Sequence, residues 1–400
     1  MSATGMKKHI TILGATGSIG ASTISVVEEC RARGDEIVVE AMTAGRNVQG
    51  LIEAALRLRP KFVAAADPNG LAQLRAALLP HGMEVGAGPA AVEEAARRPS
   101  EWVMSAIVGS AALQPTLAAL ERGVTVALAN KECLVCAGDL VMETAKAHGA
   151  RLLPVDSEHN AIFQVLHHPE RVSSMTLTAS GGPFRTWSRE QMAAAGPEQA
   201  CNHPTWAMGA KISVDSATLM NKGLELIEAA VLFGMPEDKI DVVVHPQSIV
   251  HSLVTYCDGS TLAQLSPPDM RVPIAYALAW PDRAPIQAKA LDLCMLQKLT
   301  FERPDAARFP ALGLARAALR AGGPATCVLN AANEEAVTAF LERRIGFLEI
   351  ARIVEDVLEL AAAGRLPEVS KTPRSFAEVM AVDTAARAAA IRLATRSQVA

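Results

Sequence analysis

A glycine-rich turn near the N-terminus constrains the fold of this chain most. A short apolar segment, residues 9–13, leads into residues 14–20, Gly-Ala-Thr-Gly-Ser-Ile-Gly, and a helical pattern follows through Cys30. Strand, glycine turn and helix in this order are typical of a dinucleotide-binding unit, because glycine lets the backbone approach a pyrophosphate at a helix N-terminus. The Gly-x-x-Gly-x-x-Gly spacing is a variant, so a glycine-rich turn without a ligand is the alternative.

Further alternation of strand and helix patterns follows this turn. Near-continuous apolar segments at 37–42, 62–65, 102–109 and 124–129 are separated by long helical patterns. Such segments fit a parallel sheet that is covered on both faces. We therefore predict an α/β fold class with a Rossmann-like NADP-binding domain over residues 1–150.

The end of the second strand bears on the choice of cofactor. It carries Gly45, Arg46 and Asn47, without the Asp or Glu that usually meets a ribose hydroxyl of NAD. Arg46 is placed to pair with a 2'-phosphate, which favours NADP, although a solvated turn would also explain it.

The remaining chain is predicted to form further domains, because 400 residues exceed one ordinary core. Residues 151–285 mix strands, helices and polar clusters and are predicted to form an α+β catalytic domain with a flexible lid. Residues 286–310 are predicted to connect it to a C-terminal α-helical bundle, residues 311–400, which is poor in site-like clusters.

Composition excludes several classes of partner. The formal net charge is −4 with no basic block, which argues against nucleic acid and membrane surfaces. No apolar run approaches the roughly 18 residues of a membrane span. With no signal peptide in the sequence and seven scattered cysteines, we expect a cytoplasmic protein. Cys133 and Cys136 form a CxxC, which we interpret as core thiols.

Three carboxylates are candidate ligands of Mg²⁺ or Mn²⁺. Asp156 and Glu158 follow a predicted strand, where an extended segment would direct both to one side, and Glu225 lies on a predicted helix. On that helix Asn221, Glu225 and Glu228 share one face beside an apolar stripe. A helix N-cap could instead explain Asp156 and Glu158, and a solvated acidic edge could explain Glu228.

Phosphate-type donors accumulate nearby. Ser216, Asn221 and Lys222 lie on a helix predicted from about residue 216, and Ser180 opens a second glycine-containing turn. Residues 201–210 have no strong helix or strand pattern, but they carry His203, Trp206 and Gly209. We interpret this loop as a lid.

Together these motifs resemble the 1-deoxy-D-xylulose 5-phosphate reductoisomerase family over almost the whole chain. The resemblance rests on residues 14–20, 129–132, 154–164, 180–185, 203–206, 211–225 and 245–248. It implies NADPH- and divalent-cation-dependent conversion of 1-deoxy-D-xylulose 5-phosphate to 2-C-methyl-D-erythritol 4-phosphate, the committed step of the non-mevalonate isoprenoid pathway. It also implies a homodimer and a Mg²⁺, Mn²⁺ or Co²⁺ cofactor.

The resemblance implies roles for individual residues. The metal ligands would be Asp156, Glu158 and Glu225. The phosphate would be held by Ser180, Ser216, Asn221 and Lys222. The rest of the substrate would contact Lys131, Ser157, Glu158 and His203, with Trp206 as its cover. NADPH would contact Thr16, Gly17, Ser18, Ile19, Gly45, Arg46, Asn47, Asn130, Glu132 and Gly209.

Two rival functions make different demands on the sequence. A semialdehyde-dehydrogenase-like NADP oxidoreductase would need a nucleophilic cysteine with a partner histidine. A non-catalytic NADP-sensing protein would keep the glycine turn and lose the carboxylates. The presence of Asp156, Glu158 and Glu225 argues against the sensor.

Overall fold

The computed structural model describes residues 5–206, 208–366, 369 and 372–397. Parts of three predicted segments lie outside the described residues: positions 1–4 of the first domain, position 207 of the lid loop, and positions 367, 368, 370, 371 and 398–400 of the helical domain. The chain divides into two compact units that alternate along the sequence.

Within the described residues, the strands form two sheets. Their bounds are β1 Lys7–Leu13, β2 Glu36–Ala44, β3 Phe62–Ala65, β4 Glu84–Ala87, β5 Trp102–Ser105, β6 Thr125–Leu128, β7 Arg151–Pro154, β8 Val172–Ala179, β9 Ile240–Val244, β10 Val250–Tyr256 and β11 Thr261–Leu265.

Helices occupy most of the remaining chain. Their bounds are α1 Ser18–Ala32, α2 Val48–Leu58, α3 Leu71–Leu78, α4 Pro89–Arg97, α5 Leu113–Leu120, α6 Glu132–His148, α7 Ser157–Val165, α8 Arg189–Ala193, α9 Pro197–Cys201, α10 Ala210–Thr218, α11 Met220–Phe233, α12 Arg271–Ala279, α13 Leu293–Leu296, α14 Ala311–Ala321, α15 Ala325–Leu341, α16 Glu349–Ala362 and α17 Phe376–Ser397.

The first unit is built on a parallel sheet of seven strands. It comprises the chain up to Cys133, Val141–Asn160 and Asp269–Ala290, and its strand order is β4-β3-β2-β1-β5-β6-β7. All four residues of β3 and of β5 are buried, as expected for a sheet covered on both faces. The strand order reverses beside β1, so ligands are expected at the carboxyl ends of β1 and β5.

Residues 269–290 return to the first unit. The indole Nε1 of Trp102 on β5 donates to the Ala277 carbonyl oxygen at 3.0 Å, and Arg271 Nη1 bonds Glu29 Oε1 on α1 at 2.9 Å. A segment late in the chain therefore completes the first unit. The functional limits 151–285 and 286–310 stay a prediction.

The second unit is built on a mixed sheet of four strands. It comprises Leu134–Leu140, the chain from Ala161 to Pro268 and the chain from Leu291 onward, and its strand order is β11-β10-β8-β9. Strands β8 and β9 are parallel, whereas β10 is antiparallel to both β8 and β11. In the sequence, Asp258-Gly259 between two strand patterns predicts a hairpin. The hairpin is confirmed, with Gly259 at a φ of +87° in the turn between β10 and β11.

Helix α11 covers this sheet. Leu226 and Ala229 of α11 join Met175, Leu177 and Val254 of the strands in one buried cluster. Downstream, α15 packs against both α16 and α17, which gives the predicted helical C-terminus. The predicted fold class is confirmed.

The helix predicted from about Ser216 is wrong in its start. The described chain has two helices here, α10 and α11, separated by Leu219 in the left-handed conformation at a φ of +62°. That conformation costs a non-glycine residue roughly 1–2 kcal/mol. Leu219 is 3 % exposed, so burial of its side chain offsets the cost. Periodicity cannot reveal a one-residue break between two apolar helices.

Among the described residues, no helix is long and apolar enough to cross a membrane.

Candidate functional site

The glycine turn between β1 and α1 is required by packing at two positions. Gly14 has a φ of +89°, and a Cβ there would lie 2.4 Å from the Ala106 carbonyl oxygen. A Cβ on Gly20 would lie 2.3 Å from the Gly14 carbonyl oxygen, so α1 packs closely on the turn. A Cβ on Gly17 would meet only the Gly14 carbonyl oxygen, at an ordinary 3.6 Å. Internal packing therefore does not require glycine at position 17, whereas a ligand approaching the backbone would.

The start of α1 has the features of an anion site. Its N-cap, Gly17, is extended and makes no side-chain capping bond, and no acidic residue lies in the first turn. Thr16, Ser18 and Ile19 belong to the same turn and are at least partly exposed. Their positions suit a pyrophosphate at the helix N-terminus.

The segment after β2 places an exposed cation beside this turn. Gly14 and Ala15 donate their amides to the Thr43 carbonyl oxygen at 3.2 and 2.7 Å, which ties the turn to the end of β2. Gly45, Arg46 and Asn47 are all exposed there. The Asn47 amide oxygen caps α2 by accepting from the Gly50 N–H at 3.0 Å, so its side chain also has a structural task.

Asn130 organises the loop after β5, where the predicted strand 102–109 proves too long. The strand ends at Ser105, and Asn130 Nδ2 donates to the carbonyl oxygens of Ile107 at 2.7 Å and Gly109 at 3.1 Å. Asn130 Oδ1 accepts from the Cys133 N–H at 2.8 Å. Asn130 thus holds the loop that follows β5, and Glu132 lies buried in the first turn of α6.

A lysine and a carboxylate meet at the carboxyl edge of the sheet. Strands β6 and β7 are parallel neighbours with Leu128 opposite Pro154, so Lys131 and Asp156 lie just beyond the same edge. Lys131 Nζ is 2.6 Å from Asp156 Oδ2, and the Lys131 side chain is only 8 % exposed. A buried ammonium needs such a partner.

Asp156 and Glu158 do not lie in an extended segment, and that prediction is wrong. Helix α7 begins at Ser157, and the Asn160 N–H donates to the Asp156 carbonyl oxygen at 2.8 Å. Glu158 is in the first helical turn, where a negative charge is favoured, and it accepts from Ser157 Oγ at 2.6 Å. The alternation of a strand therefore cannot be used to relate the two carboxylates.

Helix α11 buries the carboxylates that the sequence placed on one face. Glu225 and Glu228 are each 1 % exposed, which excludes the solvated acidic edge. Asn221 Nδ2 donates to Glu225 Oε1, and Lys222 Nζ pairs with Glu225 Oε2. Two predicted phosphate donors therefore contact a predicted metal ligand directly, since positions three and four apart are neighbours on a helix.

The turn after β8 packs against Ser216. Gly182 has a φ of +67°, and a Cβ there would lie 2.5 Å from the Ser216 carbonyl oxygen. The Gly182 N–H donates to Ser180 Oγ at 3.2 Å. The turn therefore brings Ser180 close to the last turn of α10, which carries Ser216.

His203 joins this turn to the predicted lid. Its Nδ1 accepts from the backbone N–H groups of Thr205 at 3.2 Å and Trp206 at 2.9 Å, so the proton must reside on Nε2. Nε2 then donates to Ser180 Oγ at 2.8 Å. Burial lowers the pKa of His203, which favours this neutral form.

The described residues of the lid loop connect two helices. The loop leaves α9 after Cys201 and enters α10 through Gly209, whose carbonyl oxygen accepts from the Ser213 N–H at 3.1 Å and Oγ at 3.0 Å. Trp206 is half-buried, with its ring centroid 6.4 Å from that of His251. The described part of this loop has no helix or strand, and two of its backbone N–H groups donate to His203 Nδ1.

The CxxC residues are core thiols. Cys133 and Cys136 are 0 % and 4 % exposed. The pKa of Cys136 is raised by a hydrogen bond with Cys327 and by burial, which disfavours the reactive thiolate.

Sequence reasoning missed two features. Val108 is 73 % exposed and lies after β5, at the edge where a ligand is expected. The sequence signal that could have pointed to it is Gly109, the glycine that ends the apolar segment 102–109. Asp215 is 1 % exposed and pairs with Lys211 at 2.9 Å, a Lys-x-x-x-Asp spacing that a helix places on one face.

Comparisons with known proteins cover nearly the whole chain. A family profile described as 1-deoxy-D-xylulose 5-phosphate reductoisomerase matches residues 10–138, and two profiles of its C-terminal domains match residues 152–233 and 265–389. The reductoisomerase of Rhodospirillum centenum is 60 % identical over 354 residues, 88 % of this chain and 87 % of the relative. That of Caulobacter vibrioides is 58 % identical over 381 residues, 94 % of this chain and 93 % of the relative.

Two solved structures that resemble this chain belong to the same family as its sequence relatives. The Zymomonas mobilis reductoisomerase in complex with NADPH is 49 % identical, has a TM-score of 0.90, and is matched over 97 % of this chain and 99 % of its own. A reductoisomerase in complex with NADPH, fosmidomycin and magnesium is 43 % identical, with a TM-score of 0.92 and coverages of 97 % and 98 %. This chain belongs to the 1-deoxy-D-xylulose 5-phosphate reductoisomerase family.

Proposed function

We infer that this chain carries out the rearrangement and NADPH-dependent reduction of 1-deoxy-D-xylulose 5-phosphate to 2-C-methyl-D-erythritol 4-phosphate, with a divalent cation. The reaction is the committed step of the non-mevalonate isoprenoid pathway. Beyond family membership, one observation carries this inference: the α10–α11 segment combines a buried carboxylate, Glu225, with the phosphate-type donors Ser216, Asn221 and Lys222.

Asp156, Glu158 and Glu225 are proposed to bind the cation together. Their carboxylate oxygens are the hard ligands that Mg²⁺ and Mn²⁺ prefer, and Co²⁺ also accepts such a site. Lys131 and Lys222 each pair with one of these carboxylates, so charge is already compensated where the cation would bind. When bound, the cation polarises the substrate carbonyl and stabilises negative charge during the rearrangement.

NADPH is proposed to lie along the carboxyl edge of the seven-stranded sheet. The open side of Gly17 and the uncapped start of α1 fit its pyrophosphate, and the exposed Arg46 fits its 2'-phosphate. The full proposed set is Thr16, Gly17, Ser18, Ile19, Gly45, Arg46, Asn47, Asn130, Glu132 and Gly209. The cofactor supplies the hydride that reduces the rearranged aldehyde.

The phosphate of the substrate is proposed to bind Ser180, Ser216, Asn221 and Lys222. Gly182 packs on Ser216, which brings the Ser180 turn to α10, and Leu219 separates Ser216 from Asn221 and Lys222 by a sharp change of helix. The phosphate is remote from the reacting bonds, so its binding energy can order the lid and exclude water.

The lid is proposed to position the reacting part of the substrate. His203 donates from Nε2 at the Ser180 turn, and Trp206 follows three residues later as an apolar cover. Lys131, Ser157 and Glu158 are proposed to contact the substrate's oxygen atoms as donors and acceptors.

A homodimer is proposed through the outer edge of β11. Strand β11 ends the four-stranded sheet and exposes Leu262 and Leu265, which are 42 % and 36 % exposed. An exposed apolar edge strand invites pairing with a second copy of the same strand. We place the protein in the cytoplasm, which the seven free thiols support.

Asp156→Asn should lower kcat by roughly 100-fold or more, since loss of a metal ligand should exceed the roughly 10- to 100-fold effect of losing a residue that only hydrogen-bonds to a ligand. Binding of NADPH, measured by fluorescence titration, should stay nearly unchanged. The exposed Asp282 offers a matched control as Asp282→Asn. Full activity of Asp156→Asn, or of the wild type in excess EDTA, would refute the metal assignment.

Arg46→Ala should raise the Michaelis constant for NADPH about ten-fold, because one charge-assisted contact contributes on the order of 1.4 kcal/mol. Kinetics with NADH should change little. The exposed Arg75 of the same unit serves as control in Arg75→Ala. Equal kcat/KM for NADPH and NADH in the wild type would contradict the assignment.

The lid should loosen as pH falls. Burial gives His203 a folded-state pKa below its unfolded value of about 6.5, so its contribution is present above pH ~6.5 and is lost as pH falls through the folded pKa. Protonated Nδ1 cannot accept from Thr205 and Trp206. Proteolysis of free enzyme within residues 201–210 should therefore accelerate at acid pH.

His203→Asn keeps an acceptor near the position of Nδ1 but cannot titrate, so the rate at which its loop is cleaved should not depend on pH in this way.

NADPH with fosmidomycin should protect the wild-type loop, and Trp206→Ala should lower kcat/KM by about 10- to 1000-fold. If the loop is equally protected with and without ligands, and Trp206→Ala keeps full kcat/KM, the loop does not move on binding and the lid assignment is refuted.

The double variant Leu262→Lys/Leu265→Lys should convert a dimer into a monomer, because like charges would face each other across the β11 edge. Light scattering after size exclusion measures the mass directly. Leu79→Lys, at an exposed leucine of the first unit, should leave the mass unchanged. A dimeric double variant or a monomeric wild type would rule out this interface.

A further inference from the structure

Helix α10 contains an ion pair whose arrangement opposes the helix dipole. Lys211 lies in its first turn, where the helix dipole disfavours a cation, and Asp215 lies toward its C-terminal end, where the dipole disfavours an anion. The order Lys then Asp at i and i+4 is also the weaker of the two orders. An exposed pair so arranged would contribute little, yet the Asp215 side chain is 1 % exposed.

The buried carboxylate has a second partner on another helix. Asn333 of α15 donates from Nδ2 to Asp215 Oδ1 at 2.8 Å, and Asn333 itself is fully buried. The remaining amide oxygen, Asn333 Oδ1, has no hydrogen-bond partner among the described residues. An amide buried with one end unsatisfied is costly, so its presence calls for a role beyond packing.

Helix α15 is itself fixed next to Asn333. Glu334 Oε2 accepts from Arg387 Nη2 at 2.6 Å, and the same guanidinium bonds Asp383 on α17. Burial opposes the charge of Arg387, but its bonds with Asp383 and Glu334 outweigh burial and raise its pKa. Asn333 therefore projects from a helix that α17 holds in place.

Asp215 holds the end of α10 at the proposed phosphate site. Its carbonyl oxygen accepts from Thr218 Oγ1 at 3.2 Å, and Thr218 Oγ1 in turn accepts from the Met220 N–H at 3.2 Å. These bonds span the left-handed Leu219 junction. Ser216, the next residue after Asp215, is the one on which the Ser180 turn packs.

We propose that Asp215, clamped by Lys211 and Asn333, is a positioning residue for the substrate's phosphate, and that the C-terminal helices thereby contribute to substrate binding. Lys211 lies two residues after Gly209, where the lid enters α10. The clamp therefore also holds this end of the lid. The inference rests on the proposed phosphate set of Ser180, Ser216, Asn221 and Lys222. Asp215 acts through that set and does not contact substrate.

The test compares a phosphorylated and a non-phosphorylated substrate. Asn333→Ala and Asp215→Asn should each lower kcat/KM for 1-deoxy-D-xylulose 5-phosphate by about 10- to 100-fold, mostly through KM. For 1-deoxy-D-xylulose, which lacks the phosphate, kcat/KM should change by less than about three-fold. A purely structural role would lower both values alike.

Matched variants separate the possible failures. Asp356→Asn removes the carboxylate of an exposed Arg352–Asp356 pair at the same spacing in the same unit, and should change neither substrate's kinetics. Ser216→Ala tests the phosphate set itself. The quantity to compare is kcat/KM for the phosphorylated substrate divided by kcat/KM for the non-phosphorylated one. If Ser216→Ala leaves this ratio unchanged, the phosphate set is refuted. A reduced ratio in Ser216→Ala with unchanged ratios in Asn333→Ala and Asp215→Asn would overturn the role of Asp215.

The double variant provides a further check. If Asn333 and Asp215 act in one clamp, Asn333→Ala/Asp215→Asn should be no worse than the more severe single variant. Additive losses would mean that the two residues act independently, which contradicts the clamp. Should Asn333→Ala fail to fold, Asp215→Ala, which removes the acceptor that Asn333 and Lys211 share, decides the question alone.

Discussion

A charge inside a protein must be compensated, and helix α11 meets this requirement at Glu225 with donors from its own first turn. The carboxylate is buried within α11 and is bonded by Asn221 and Lys222 from the first turn of the same helix. Those contacts require residues 221–225 to be helical, with the two donors three and four positions before the carboxylate. Helix α11 starts at Met220, directly after the break at Leu219. The break leaves Ser216 on α10, and Asn221 and Lys222 on α11.

In the first unit, a buried charge is compensated across neighbouring strands of the sheet. Parallel neighbours β6 and β7 deliver Lys131 and Asp156 to one edge, where the ammonium and the carboxylate pair at 2.6 Å. The glycine turn after β1 lies at the same kind of edge, where Gly14 and Gly20 permit packing that no side chain would allow. In open α/β sheets, ligands bind in the crevice outside the carboxyl ends of the strands.

The C-terminal helices are more than a cover for the core. Their sequence is poor in clusters of chemical groups, but Asn333 carries a buried amide to Asp215 on α10. Arg387 holds the neighbouring Glu334, so the amide projects from a well-fixed helix. Such a residue is invisible to motif reasoning, because its partner is 118 positions away.

The sequence by itself determined the fold class, most strand and helix positions, the hairpin at Gly259 and the family, because apolar periodicity, glycine turns and long motifs are local signals. It placed Asn221, Glu225 and Glu228 on one helical face correctly. It could not decide that Asp156 precedes a helix, since short polar segments suit both a strand end and an N-cap. Only the tertiary structure decided the break at Leu219, the burial of Glu228 and the return of residues 269–290 to the first unit. Each of these depends on packing between segments far apart in the chain, which local patterns do not encode.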